Sequence, residues 1–171
     1  MVAPLIAAAG VGLKARLQTM AAERILKATG EVEKRYARLH ERASGQGKNN
    51  WREGARSDVD FIRTSLRDIL DFQKNHGGMS LKDHILRSNS VIGATDVLLR
   101  GLDQNLKPDQ SRLRLSAGLP ALAMAVNAIV PAVRDLVQQV QGRPEQAKGD
   151  RDDDQFATEP VSNRNHARQR E

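Results

Sequence analysis

Residues 115–133 read LSAGLPALAMAVNAIVPAV, nineteen positions without a charge, closed by Arg114 on one side and Arg134 on the other. In a chain that is 28% charged this stretch must be hidden from water. Leu119, Leu122, Val126, Ile129, Val130, Val133, Leu136, Val137 and Val140 fall on one continuous stripe of period 3.6, so the segment is a helix rather than a strand. Pro120 suits a first-turn position, Pro131 lies inside and should kink the helix, and Gly142-Arg143-Pro144 should stop it. Three environments can hide such a helix: the middle of a bundle, a subunit interface, or a membrane. Nineteen residues just reach the roughly 17–25 that a spanning helix needs. Ser116, Asn127, two prolines and many alanines make it a poor spanning sequence, and beyond Val133 the stripe is backed by Arg134, Asp135, Gln138 and Gln139, as in a soluble amphipathic helix. Beside the stripe runs a row of small residues, Ala117, Ala121, Ala125, Ala128 and Ala132, whose spacing lets a second helix approach closely.

The rest of the chain reads as helices of the same kind, and no alternating strand pattern survives beside them. Leu13, Leu17, Met20, Ala21, Ile25, Ala28, Val32, Tyr36 and Leu39 set the apolar stripe of a long helix over about 14–43, weakened by Gly30. Glu23 with Lys27 and Glu31 with Arg35 stand four apart on its solvated side. SGQGKNNWREGARS (44–57) reads as a loop. Ser57 then caps a second helix with a stripe of Val59, Ile62, Leu66 and Leu70, ended by His76-Gly77-Gly78. Ser80, with Asp83 three residues on, caps a short helix over about 81–87. Ser88-Asn89-Ser90 interrupts it, and a further helix follows over about 91–104, with Lys107-Pro108-Asp109 as the next break. The expectation is an all-α fold: a bundle of about five helices with a long N-terminal one. It is preceded by an apolar arm (1–12) and followed by a polar, disordered tail (143–171).

Composition narrows the function classes. The 171 residues suit one domain with a real core, but aromatic residues are only 3%, so the packing falls to Leu, Ile and Val. There is no cysteine, which excludes disulfide scaffolds, thiolate metal sites and cysteine nucleophiles, and fits a reducing cytoplasm at synthesis. The apolar start lacks the basic residues that precede the apolar part of a secretion signal. His40, His76, His84 and His166 are scattered, and no Asp or Glu pattern around them reads as a metal site. Asp68 and Asp71 share a helix face but read as solvated. Gly45-Gln46-Gly47-Lys48 lacks the spacing of a phosphate-binding loop. No catalytic residue, metal or cofactor is expected.

The net charge is +6, and the excess sits early: residues 1–43 carry eight basic side chains against four acids. Lys34, Arg35, Arg38 and Arg42 form a basic helical row, the best candidate for contact with nucleic acid phosphates, although acids are interleaved. The segment from Met79 to Leu102 has a helix–break–helix outline, but no tight apolar triangle of a helix-turn-helix can be placed in it.

The opening MVAPLIAAAGVGLKARL resembles the starts of small helical bacteriophage virion proteins, those of the tail-associated and internal ejection kind. The resemblance covers about the first 17 residues and a general composition, and it includes no diagnostic motif. It implies a structural subunit packed in many copies in a virion, with homo-oligomer contacts or contacts to other structural subunits. The expected function is therefore non-enzymatic. Leu5 and Ile6 of the arm and Ala117, Ala121, Ala125, Ala128 and Ala132 would make the assembly contacts. Nucleic acid binding through the basic row and membrane contact through 115–133 are the two alternatives.

Overall fold

The uncharged segment is the middle of a longer helix, and its stripe is the centre of the core. The computed structural model describes the backbone of residues 3–45 and 50–156 and the side chains of 12–45 and 50–142. The described residues form four helices and no strand: α1 (Ala3–Ala43), α2 (Trp51–Asn75), α3 (Leu81–Gly101) and α4 (Pro108–Phe156). The fold is all-α, as the periodicity implies. The chain divides into a unit of Met1–Val140, which holds the bundle, and a unit of Gln141–Glu171, in which the backbone is helical to Phe156.

Side-chain pairs fix an up-down-up-down order. Arg42 donates to the Trp51 carbonyl and Arg35 pairs with Asp58, so α2 runs back along α1. Arg63 pairs with Asp96 and His84 with Asp71, so α3 runs back along α2. Gly101 lies against Arg114, Gly118 against Leu98, and Arg87 donates to the Ala128 carbonyl, so α4 runs back along α3. A bidentate Arg134–Glu33 pair at 2.8–2.9 Å joins α4 to α1. Between these helices Leu39, Ile62, Leu66, Leu70, Leu98, Leu115, Leu119, Leu122 and Ile129 are fully buried. Each stabilises the fold by about 1.5–3 kcal/mol through burial.

The helix count differs from the expected five for local reasons. Ser88-Asn89-Ser90 does not break α3: Ser90 Oγ turns back to the Leu86 carbonyl at 3.0 Å. Val91 and Leu98 are buried beyond it, so packing outweighs the polar run. α2 begins at Trp51 rather than after Ser57, because Trp51 and Ala55 are core residues. α4 begins at Pro108, which takes the first-turn place, whereas Pro120 lies well inside the helix. The expected stop at Gly142–Pro144 is absent, since helical backbone continues to Phe156. The apolar arm has helical backbone from Ala3, continuous with α1. The disorder expected of the tail beyond Phe156 concerns residues outside those described.

Two expected caps are present. Ser80 Oγ accepts from the Asp83 N–H at 3.1 Å, and α2 ends at His76 followed by Gly77 at φ 78°. The turn after α3 is held from the side: Arg56 donates to the Leu102 carbonyl and Arg52 to those of Asp103 and Leu106.

Candidate docking groove

The same helix that fills the core also has an outward face, and it too lacks charge. Between Arg114 and Arg134 the exposed positions of α4 are Ser116, Ala117, Pro120, Ala121, Met124, Asn127, Ala128, Pro131 and Ala132. Large branched residues point in and small ones point out. Beside α3 this outward face opens into a groove of about 510 Å³. Ser90, Gly93 and Val97 form its α3 wall, and Ala121, Ala125 and Ala128 its α4 wall. Met124 (75% exposed) and Val97 (53% exposed) stand up as its lips, and Arg87 closes one end.

Close approach of α3 and α4 below the groove depends on glycine. A Cβ on Gly118 would lie 2.6 Å from Leu98 Cδ2, and one on Gly101 would lie 2.9 Å from Arg114 Cβ. The groove has few polar groups and they are engaged. Ser90 Oγ bonds to the Leu86 carbonyl, and Arg87 donates to the Ala128 carbonyl at 3.2 Å, next to the helix-interior Pro131. A small-molecule site needs a few convergent polar groups to orient its ligand, and the polar side chains lining this groove are only Arg87 and Ser90.

Of the alanine row expected to make contacts, Ala121, Ala125 and Ala128 line the groove, while Ala117 and Ala132 are exposed on α4 outside it. Leu5 and Ile6 lie outside the described side chains. The contribution of α3 carried no sequence signal, because Gly93 and Ser90 look like punctuation rather than a wall. Val97 is left exposed by the bundle, as are Leu81, Ile85 and Leu86 on the same helix.

The basic row divides. Arg35 donates to Glu31 and to the buried Asp58, and its guanidinium lies 4.0 Å from the Phe61 ring centroid. Arg42 Nε lies 3.3 Å from Asp58 Oδ2. Gly54 makes room for it, since a Cβ there would fall onto the Arg42 guanidinium. Burial raises the Asp58 carboxyl above the usual carboxylate range, against the downward pull of Arg42, Arg35 and Arg38. Lys34 and Arg38 are exposed. Two members of the row thus hold α1 to α2, and two remain for solvent.

Among the described residues no three His, Cys, Asp or Glu side chains gather into a metal-binding group. His84 pairs with Asp71 at 2.7 Å and His76 packs on Phe72. Within α4, Pro108–Gly142 is long and apolar enough to cross a membrane by length and composition, but its stripe is packed into the bundle. No protein-family model, no curated protein and no solved structure matches this chain.

Proposed function

We propose that the protein is a non-enzymatic assembly subunit that works by helix packing, with the α3–α4 groove as a docking face for another helix. The observation that carries this reading is the outward face of α4. It runs nineteen residues without a charge and is exposed in the single chain, where a solvated helix would place Lys, Glu or Arg. Its small residues favour close helix approach. The resemblance of the N-terminus to phage virion proteins fits the same reading, as those work as packed structural subunits. A nucleic-acid role through Lys34, Arg35, Arg38 and Arg42 is less favoured, because Arg35 and Arg42 are committed to Asp58.

Light scattering after size exclusion tests the proposal. The full chain should run as a multimer at moderate salt. Ala121→Glu places a charge on an exposed groove position and should lower the mass while leaving helicity and melting temperature unchanged. A multimer untouched by Ala121→Glu, or a monomeric wild type, would refute it.

A further inference from the structure

A second apolar surface is left open on α1. Leu13, Leu17 and Met20 belong to the stripe of that helix by period, yet they are 61%, 59% and 65% exposed, whereas Ala22, Ile25, Val32 and Leu39 farther along are buried. One cause is length. α1 has 41 residues and α2 has 25, about 61 Å against about 37 Å at 1.5 Å per residue. The two helices are aligned at the Arg42–Trp51 end, so the first turns of α1 extend past the end of α2. The stripe continues past the end of α2.

The stripe and the groove match. Leu13, Leu17 and Met20 stand at i, i+4 and i+7, a row of large knobs over two turns, about 10.5 Å. The groove is also two turns long, from Ser90 to Val97 on α3 and from Ala121 to Ala128 on α4, and its walls are small. Knobs of Leu and Met need holes, and Gly93, Ala121, Ala125 and Ala128 are holes. The two cannot meet within one molecule. α1 is a single helix from Ala3, and Ala22, Ile25 and Val32 anchor it in the core, so residues 13–20 cannot turn back without breaking it.

Resting on the proposed docking role of the groove, we infer that its occupant is the Leu13–Leu17–Met20 stripe of a second copy of this chain. The contact is heterologous: one patch of each subunit meets a different patch of the next. It therefore propagates into a ring or a filament rather than closing as a two-fold dimer. Every subunit gives one stripe and accepts one.

Complementation in trans tests this directly on the full chain. Leu17→Glu spoils the stripe and keeps the groove, and Ala121→Glu does the reverse. Both positions are exposed, and unchanged circular dichroism and melting temperature verify folding, with Leu13→Glu as a second stripe variant. Each variant alone should fall to the mass of one chain. An equimolar mixture should recover a species of twice that mass and no larger, because only one intact stripe meets one intact groove. If Leu17→Glu and Leu13→Glu both assemble like wild type while Ala121→Glu does not, the occupant is something else and the groove's docking role survives. If the mixture stays monomeric, stripe and groove do not engage each other and the inference fails. If the wild type is itself monomeric, or if Leu17→Glu changes only its retention on anionic vesicles, the inference falls; in the monomeric case the assembly reading falls with it.

Discussion

Asp58 offers the sharpest test of the bundle's energetics, because burial and pairing act on it in opposite directions. Its side chain is 4% exposed, with Arg35 Nη1 at 3.4 Å from one oxygen and Arg42 Nε at 3.3 Å from the other. Both arginines keep about a quarter of their side-chain surface in water, so water shares in stabilising them and neither distance is a tight ion pair. The carboxyl is raised from its ordinary value, burial being the larger effect and the arginines the smaller. The sign follows from linkage. A carboxyl with a raised folded value holds its proton longer in the native state than in the unfolded chain. Its contribution to stability is therefore fully present below the unfolded value near 4 and is lost as pH rises through the folded one. Asp58→Asn keeps the shape and the hydrogen-bonding oxygen but cannot ionise. Measured by urea unfolding from pH 3.5 to 7.5, the wild type should lose stability relative to Asp58→Asn as pH rises, by about 1.4 kcal/mol for each unit that the folded value is raised. Asp58→Ala should cost about 2–4 kcal/mol, toward the low side of breaking a buried pair, since the arginines reach water. A wild type that gains on Asp58→Asn with rising pH would mean that pairing outweighs burial, and the reasoning would be wrong.

Other positions give contrasting outcomes. Gly118→Ala should destabilise by about 1–3 kcal/mol in urea unfolding, because its Cβ would press on Leu98, which has no free side to move to. Gly30→Ala, also in a helix but with nothing within 4 Å of the new Cβ, should stabilise by about 0.5–1 kcal/mol. Equal signs at the two sites would show that the α3–α4 approach is looser than described. Ser80→Ala removes the one side-chain cap of α3 and should lower its stability by about 1 kcal/mol, with Ser80→Asp restoring it.

The core was legible because it is periodic. Val59, Ile62, Leu66 and Leu70, and the whole stripe from Leu119 to Val137, are buried as the 3.6 spacing requires. The boundaries were harder, for they were set by tertiary packing against local propensity. Trp51 and Ala55 drew α2 two turns into a segment rich in Asn and Gly, and Ser88-Asn89-Ser90 was kept helical by the apolar residues that flank it. The stripe on α1 was the opposite case. Its period is uniform from Leu13 to Leu39, so nothing in the sequence separates exposed knobs from core. The shorter length of α2 contributes to that distinction. The groove was half visible, as the alanine row of α4. Its other wall, with Gly93 and Ser90, could be seen only once α3 and α4 were side by side.

The two faces of α4 also bear on what the helix avoids charge for. A lipid-facing surface gains in proportion to the apolar area it gives up, at about 25 cal/mol per Å², so a helix meant for the bilayer places its Leu, Ile, Val and Phe outward. α4 does the reverse. Between Arg114 and Arg134, Leu119, Leu122, Val126, Ile129, Val130 and Val133 face the bundle, and the outward positions are small or polar residues and proline, with Met124 the large exception. An alanine face offers little area to lipid but admits another helix at short range, where dispersion contacts are numerous. Absence of charge together with absence of bulk is what the proposed packing role asks of this face, and the large residues proposed to fill it, Leu13, Leu17 and Met20, stand exposed on α1.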